Sequence, residues 1–309
     1  MVNNILITGG HGLVGSEFIG KQYFKPTPKE FDLRIVENTN RLMLKQFDGV
    51  IHCAGKVGGV GGNMNHKGEF FYDNIMMNTN VIEGARLTGV KNLVSFLSTC
   101  VFPDQVEYPL TEKKIHLGPP HFSNDAYAYA KRMADLQIRA YKEQYGLNYK
   151  SVIPCNIYGP NDNYDIVNGH VIPSLIHKCY LARENNTPLT IWGSGKPLRE
   201  FIFSKDVAKL TEWVLYNYNE NEPIILSTSE EISIMDIVGI IVELMNFKGD
   251  VIFDSSKPDG QFRKPSDNSK IKNYLPDFKF TPLYDGLKET IEYFEKNYTI
   301  IRKWWIIKL

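Results

Sequence analysis

The feature that most constrains the fold of this chain is a glycine-rich turn placed directly after its first apolar segment. Residues 5–8, ILIT, form a short and partly β-branched run typical of a buried strand, and GGHGLVG at residues 9–15 follows it. A helical pattern containing Phe18 and Ile19 comes next. A strand, a tight turn and a helix in this order let a pyrophosphate approach the backbone while the helix N-terminus faces it. The motif therefore predicts a dinucleotide site with contacts from Gly9, Gly12, Leu13, Val14 and Gly15.

Strand and helix patterns continue to alternate after this turn. Apolar runs recur at residues 50–53, 93–97 and 151–153, and helix-like stretches lie at 72–88 and 126–145. Such uninterrupted apolar runs are typical of strands that are buried on both faces. The alternation predicts an α/β fold with a Rossmann-type, doubly wound parallel sheet.

The character of the sequence changes after about residue 160. Clusters of Pro, Asn and Gly appear there, and mixed short strand and helix patterns then run to the C-terminus. We therefore expect residues 1–160 to form an NADP(H)-binding Rossmann domain and residues 161–309 to form a smaller C-terminal α/β substrate domain. Part of 197–229 is expected to return to the first domain.

Charge and cysteine content exclude several classes of function. Basic and acidic residues both number 35, so no global field would attract the protein to nucleic acid or to an anionic membrane. The four cysteines are widely spaced, which argues against a disulfide framework and a metal site. The sequence shows neither a signal peptide pattern nor a long apolar segment, so we expect a cytoplasmic protein.

The choice between the two nicotinamide cofactors depends on the segment after the glycine turn. This segment, from Gly15 to Leu33, is short and contains two prolines, so its strand is hard to place. Lys25 and Lys29 could meet the extra phosphate of NADP, whereas Glu30 stands where an acidic residue would hold the ribose of NAD. We expect NADP(H), with NAD left open.

A tyrosine, a lysine and a serine form the candidate reductase site. Tyr127 and Lys131 are four residues apart near the start of a predicted helix, and Ser98 stands at the end of a buried strand. Open α/β sheets bind their ligands at that edge. Lys131 would lower the pKa of the phenol, Tyr127 would exchange a proton with a substrate oxygen, and Ser98 would hydrogen-bond the same oxygen. The alternative is an exposed i,i+4 pair of Tyr127 and Lys131, and a serine that only ends a strand.

Several separate stretches resemble the extended short-chain dehydrogenase/reductases that act on nucleotide sugars, and within them the GDP-L-fucose synthase family. The stretches are residues 9–16, 54–60 (AGKVGGV), 97–103 (LSTCVFP), 127–131 (YAYAK), 154–163, 169–173, 192–201 and 257–264. The resemblance implies a bifunctional enzyme that epimerises GDP-4-keto-6-deoxy-D-mannose at C3 and C5 and reduces C4 with NADPH. Family members are commonly homodimers joined by helices that flank the sheet, and the helix at 126–145 is the candidate interface.

The same resemblance implies the roles of individual residues. Ser98, Tyr127 and Lys131 would carry out the reduction, and Cys100 and His170 would be the acid/base pair for epimerisation. The remaining cofactor contacts would come from Lys29, Ala54, Lys131, Pro154, Asn156, Ile157 and His170. The GDP-sugar would be bound by Lys178, Trp192, Arg199 and Asp267.

Other activities stay open at this point. A C-4 reductase of a related GDP-keto-sugar, such as a GDP-deoxyheptose, would need no epimerase step. Another nucleotide-sugar epimerase or dehydratase of the same superfamily is less consistent with Cys100 and the AGKVGGV loop. A nucleotide-sensing binding protein would have no reason to keep Ser98, Tyr127 and Lys131 together.

Overall fold

Six strands form one parallel sheet in the computed structural model, which describes residues 4–257, 259 and 261–301. The strands of the chain are β1 (Ile5–Thr8), β2 (Tyr23–Phe24), β3 (Gly49–His52), β4 (Asn92–Phe96), β5 (Asn148–Pro154), β6 (Asn156–Tyr158), β7 (Leu189–Trp192), β8 (Leu198–Phe203), β9 (Ile224–Leu226), β10 (Glu231–Ser233) and β11 (Val251–Asp254). The large sheet has the order β2-β1-β3-β4-β5-β9. The chain therefore reverses its direction of winding between β1 and β3, which confirms the doubly wound α/β fold.

Helices cover both faces of this sheet. In the described part of the chain the helices are α1 (Val36–Met43), α2 (Val60–Asn65), α3 (Lys67–Leu87), α4 (Asp125–Tyr145), α5 (Val171–Asn185), α6 (Ser204–Asn217), α7 (Ile234–Leu244), α8 (Ser269–Tyr274) and α9 (Leu283–Lys296). Those that flank the large sheet include α1, α3, α4 and α6. The predicted helices at 72–88 and 126–145 are α3 and α4. Helix α4 ends at Gly146, whose φ of 66° is the left-handed conformation that glycine adopts at helix ends.

Alternation along the strands builds a separate core on each face of the sheet. Leu6, Val50 and Leu93 pack into the core beneath α1, α3 and α4. Their neighbours Ile5, Ile51 and Val94 point to the opposite face and pack against α6. Because side chains alternate along a strand, an uninterrupted apolar run supplies both cores at once.

The helix expected directly after the glycine turn is not formed. Only a short 3₁₀ turn, Gly15–Glu17, is present, and the chain is already extended at Phe18 before it enters β2. The segment to Leu33 is too short to hold both a helix and a full strand, so β2 keeps two residues. Side-chain hydrogen bonds fasten the segment instead: Asn161 to Ser16, Ser204 to Glu17, and Tyr23 to Glu212.

The rest of the chain forms a second layered unit. Strands β10, β8 and β6 form one small sheet and β11 and β7 another, with α5, α7 and α9 packed around a shared apolar core. Strand β9, which lies within 197–229, pairs with β5 of the large sheet. In the part of the chain that the structure describes, none of the helices is long and apolar enough to cross a lipid bilayer.

Two glycines in helices test the packing of the second unit. A Cβ added at Gly286 in α9 would lie 2.2 Å from the hydroxyl oxygen of Tyr158, a side chain that is 2% exposed. We expect Gly286→Ala to lower the free energy of unfolding by about 1–3 kcal/mol, because the buried ring has no room to move. Gly239 in α7 has nothing within 4 Å of such a Cβ, so Gly239→Ala is the matched control.

The control should raise the free energy of unfolding by about 0.5–1 kcal/mol, because alanine favours the helix over glycine. Urea unfolding followed by circular dichroism measures both variants. Equal effects of the two substitutions would contradict the packing described for Gly286.

Candidate active site

The glycine turn closes tightly on itself and on the end of β3. Gly9 has a φ of +66°, and a Cβ there would lie 2.8 Å from the amide nitrogen of Ala54. A Cβ at Gly15 would lie 2.2 Å from the carbonyl oxygen of Gly9. The Gly12 amide donates to the Gly9 carbonyl at 3.0 Å. The glycines are therefore required by the turn itself, which leaves its backbone open to a ligand at the carboxyl edge of the sheet.

Lys131 supplies the second observation that fits a dinucleotide. Its side chain on α4 is 2% exposed, and its Nζ lies 3.5 Å from where a Cβ of Gly55 would stand. Within the described residues, no hydrogen bond or ion pair reaches this ammonium. Burial lowers the pKa of Lys131 to about 8. A buried cation that lacks hydrogen-bond acceptors within the described residues fits ribose hydroxyls, which would supply them.

A buried polar chain connects the glycine turn with α4. Thr8 Oγ1 lies 2.7 Å from His52 Nδ1, and His52 Nε2 lies 3.0 Å from Asn78 Oδ1. Asn78 in turn donates to the carbonyl oxygen of Ala130, the residue before Lys131. Burial first, and then the charge of Lys131, lowers the pKa of His52 to about 3. His52 is therefore a neutral cross-link between β1, β3, α3 and α4.

The end of β2 carries the candidate contacts of the adenosine ribose. Lys25 follows β2, and a Cβ added at Gly10 would lie 2.6 Å from the Cβ of Lys25. Its Nζ donates to the carbonyl oxygen of Ser16 at 3.2 Å. Lys29 is exposed further along the turn, and the Glu30 carboxylate accepts hydrogen bonds from Thr27. Lys25 is thus the lysine that packs on the glycine turn, and Glu30 is engaged locally.

Ser98, Cys100 and Tyr127 come together where β4 ends. Ser98 precedes the 3₁₀ turn Thr99–Val101, and its Oγ accepts the Cys100 amide at 3.3 Å. Asn124, at the start of α4, donates to Cys100 Sγ at 3.0 Å. Tyr127 lies one turn further into α4 and packs edge-on against Phe70. A strand end and a helix start therefore bring a hydroxyl, a thiol and a phenol into one site.

The electrostatics of Tyr127 differ from the expectation. Burial raises the pKa of the Tyr127 phenol well above its ordinary value, and the neighbouring Cys100 adds to this shift. Lys131 was expected to lower it, but its Nζ lies 5.8 Å from the centre of the Tyr127 ring, so desolvation outweighs the charge. The phenol is held in its protonated form, which is the form that can donate a proton.

His170 stands at the N-terminal end of α5, above the AGKVGGV loop. The Gly59 amide donates to the Asn168 carbonyl at 2.9 Å, and a Cβ at Gly59 would lie 2.7 Å from the Gly169 carbonyl oxygen. The loop can approach His170 this closely only because residue 59 is a glycine. The imidazole Nδ1 lies 3.7 Å from Asp162 Oδ1.

The candidate GDP-sugar contacts are two cations and an aromatic ring, together with one carboxylate that is engaged in a local turn. Trp192 is 51% exposed, and the Lys178 ammonium lies 4.2 Å from the centre of its ring. Arg199 in β8 is held through the Leu198 carbonyl, and burial lowers its pKa. Asp267 instead accepts hydrogen bonds from Ser269 at the start of α8, so its carboxylate closes a local turn.

Sequence reasoning assigned no role to Lys264 and Asp259, although both lie in the resembling stretch 257–264. Burial lowers the pKa of Lys264, and the interactions that act on it most strongly after that come from Cys100 and Arg199. Asp259 accepts the Ser194 amide and hydroxyl at 2.6 and 2.7 Å. Lys264 is thus a cation that interacts with both Cys100 and Arg199, and Asp259 is a carboxylate on the turn after Trp192. The resemblance of residues 257–264 to the family was the sequence signal that could have pointed to both residues.

Comparison with known proteins identifies the family. Residues 5–227 match the NAD dependent epimerase/dehydratase family. The GDP-L-fucose synthase of Dictyostelium discoideum is 49% identical over 97% of this chain and 97% of its own length. The chain belongs to this family, among the GDP-L-fucose synthases.

Other GDP-L-fucose synthases agree with this assignment. The probable GDP-L-fucose synthase of Drosophila melanogaster is 40% identical over 98% of this chain and 100% of its own length. The crystal structure of a GDP-L-fucose synthetase from Naegleria fowleri bound to NADP superposes with a TM-score of 0.91 at 42% identity, covering 98% of this chain and 97% of that one. The resemblance stated from the motifs is confirmed, while the roles of the single residues remain predictions.

The lowered pKa of Lys131 leads us to expect that dinucleotide binding depends on pH. Because its pKa is lowered to about 8, the ammonium loses its proton between pH 7 and pH 9. We expect the dissociation constant for NADPH to rise up to about tenfold over this range, since only the charged form attracts the cofactor. Isothermal titration calorimetry at both pH values measures it.

Two variants complete this test. Lys131→Met should bind NADPH weakly at both pH values. Lys150→Met is the matched control, because Lys150 is also 2% exposed but donates to the Leu215 carbonyl outside the site. It should behave as wild type. An unchanged pH dependence in Lys131→Met would contradict the assignment of the cofactor contact to this lysine.

Proposed function

We propose that this chain converts GDP-4-keto-6-deoxy-D-mannose into GDP-L-fucose, by epimerising the sugar at C3 and C5 and reducing the C4 ketone with NADPH. The observation that carries the proposal is the meeting of Ser98, Cys100 and Tyr127 at the end of β4. Epimerisation and reduction both act around one ketone, so their groups must converge on one point. A thiol beside a phenol and a hydroxyl meets this requirement.

The epimerase step needs a base and an acid on opposite faces of the sugar ring. The C4 ketone acidifies the C–H bonds at C3 and C5, so removal of either proton sends its electron pair into an enolate. Cys100 and His170 exchange these protons, one taking a proton from carbon and the other returning one to the opposite face. Ser98 and Tyr127 donate hydrogen bonds to the enolate oxygen.

The reductase step uses Tyr127 as the proton donor. NADPH, when bound, supplies the hydride for C4. Tyr127, which burial holds protonated, gives its proton to the oxygen that becomes the C4 hydroxyl. Ser98 orients that oxygen, and Lys131 binds the ribose and compensates the charge left on the phenolate.

Binding of the two ligands divides along the chain. Residues 1–160 hold NADP(H), with the glycine turn, Ala54 and Lys131 on one side. On the other side are Pro154 at the end of β5 and Asn156 and Ile157 in β6. Residues 161–309 hold the GDP-sugar. The close cation–π contact of Lys178 with Trp192 supports a diphosphate and a base side by side there. Arg199 contributes the second cation, and Asp267 accepts hydrogen bonds.

NADPH is preferred over NADH because of the lysines that follow β2. Lys25 packs on the glycine turn, and Lys29 stands four residues further on. Both are available to the extra phosphate of NADP, whereas the Glu30 carboxylate is engaged by Thr27. The positive charge near this edge supports the NADP(H) assignment.

Turnover in deuterated water tests the proposed function directly. The purified chain is incubated with GDP-4-keto-6-deoxy-D-mannose and NADPH, and the product sugar is read by NMR. Deuterium at both C3 and C5, together with oxidation of NADPH, is the expected result. Reduction without deuterium would mean a C-4 reductase that lacks the epimerase step, and no turnover would contradict the proposal altogether.

Cys100→Ser separates the two steps. Serine is a far weaker base than a thiolate, so we expect deuterium incorporation to slow by about 10²–10⁴-fold. Reduction of an intermediate that is already epimerised should stay within a few fold of wild type. Cys179→Ala is the control, because that thiol lies inside the second core and is 0% exposed. Equal loss of both steps in Cys100→Ser would show that the assigned role is wrong.

The chain is proposed to act as a homodimer joined through α3 and α4. On α4, Tyr129, Met133 and Leu136 are 41%, 39% and 49% exposed and share one helix face by their spacing. On α3, which packs against α4, Phe71 and Tyr72 are 42% and 56% exposed. Apolar side chains this exposed on adjacent helices favour an interface between two copies.

Leu136→Glu tests the interface, because a second copy would have to bury the new charge. We expect this variant to sediment as a monomer in analytical ultracentrifugation, whereas wild type sediments at twice that mass. Ile252→Glu is the control, since Ile252 is 47% exposed on β11 away from these helices. A monomeric wild type would contradict the proposal.

The cytoplasm is the proposed location, because a reducing compartment keeps the Cys100 thiol active.

A further inference from the structure

A buried carboxylate lies behind the candidate acid/base histidine. Asp162 is 5% exposed, and its Oδ1 accepts the backbone amide of Asn163 at 2.7 Å. Its other oxygen, Oδ2, is buried as well and has no hydrogen-bond partner within the described residues. Burying a carboxylate with unused acceptors is costly, so such a group is expected to serve something beyond the turn that it closes.

Within the described residues, the side chain that forms an ion-pair contact with this carboxylate is the imidazole of His170. His170 Nδ1 lies 3.7 Å from Asp162 Oδ1, and the histidine side chain is 41% exposed. One end of the pair is therefore buried and fixed, while the other faces the open side of the site. Hydrogen bonds between catalytic groups are often long before the substrate binds and shorten in the complex.

The loop that joins the two residues is rigid. The Asp165 carboxylate accepts the amides of Val167 and Asn168 at 2.9 and 2.7 Å, and the Gly169 amide donates to the Asp165 carbonyl at 2.9 Å. Asn161, next to Asp162, donates a hydrogen bond to Ser16 in the 3₁₀ turn that follows the glycine turn. The carboxylate and the imidazole are thus carried on one fixed turn that also contacts the cofactor loop.

Other charged groups near this turn are already engaged. Asp165 is occupied by backbone amides, as described. In the AGKVGGV loop that packs on residue 169, Lys56 is paired with Glu69 and Asp73 at 2.7 and 3.0 Å. On α5 itself, Lys178 lies against Trp192. Among these groups, Asp162 is the one that the structure places 3.7 Å from the His170 imidazole.

We propose that Asp162 is a positioning residue that orients the His170 imidazole and stabilises its protonated form. Its carboxylate accepts a hydrogen bond from Nδ1–H, which turns Nε2 toward the sugar and sets the tautomer of the neutral ring. The negative charge also favours the imidazolium. In this protonated form His170 can return a proton to the enolate carbon. The inference rests on the proposed function, since it deepens the role of His170 in epimerisation.

Asp162→Asn removes the charge while keeping an oxygen for the Asn163 amide, so the turn should be preserved. We expect deuterium incorporation at C3 or C5 from deuterated water to slow by about 10-fold to 100-fold at neutral pH. Binding of NADPH and the KM for the GDP-sugar should stay at wild-type values. Asp165→Asn is the matched control, because it changes a carboxylate of the same turn that is bound to backbone amides only. It should exchange deuterium at the wild-type rate.

The imidazole signals of His170 give a second readout that needs no substrate. They are assigned by comparison with His170→Gln, and their titration midpoint in Asp162→Asn should fall by about 0.5–1 pH unit relative to wild type. Asp162→Asn should also add no further loss to the exchange rate of His170→Gln, because it acts through the histidine.

Failure of the proposed function can be distinguished from failure of the inference about Asp162. A wild-type protein that incorporates no deuterium and turns over no substrate would contradict the proposed function, and the NMR titration would still decide whether Asp162 acts on His170. An unchanged titration midpoint in Asp162→Asn would overturn the inference, as would additive losses in the double variant.

Discussion

The close contact between the glycine turn and the end of β3 is the constraint on which the rest of the site depends. Any side chain at Gly9 would strike the Ala54 amide, and any at Gly15 would strike the Gly9 carbonyl. Because the backbone segments touch, β1 and β3 end at the same level, and their carboxyl edge becomes the floor of the site. The Thr8–His52–Asn78 chain then carries this alignment to α4, where Lys131 and Tyr127 are held.

Much of the framework could be predicted from local patterns, because β1, β3, β4 and β5 show as apolar runs and α3 and α4 as helix-like stretches between them. Helix α4 was predicted at residues 126–145 and is observed at Asp125–Tyr145, so its start differs by one residue and its end agrees. The helix after Gly15 was predicted wrongly. Its local pattern around Phe18 and Ile19 is helical, but the length available before β2 is a tertiary constraint that a short window of sequence does not contain.

In the site, too, local sequence patterns predict some features, whereas others depend on the folded structure. Ser98, Tyr127 and Lys131 could be predicted, because a strand end and a helix start are legible in sequence. The partners that tune them could not be. The Asn124 contact with Cys100 and the Asp162 contact with His170 depend on side-chain directions in loops, which have no periodicity to reveal them. The sign of the Tyr127 shift was also missed, because burial is a property of the folded chain.

A crystal structure with NADP⁺ and GDP-L-fucose would test the central claim that one site serves both epimerisation and reduction. The account predicts that the C4 hydroxyl lies within about 3.5 Å of both Ser98 Oγ and the Tyr127 hydroxyl. It also predicts that Cys100 and His170 face C3 and C5 from opposite sides of the ring. A sugar bound with both C3 and C5 out of reach of Cys100 and His170 would contradict it.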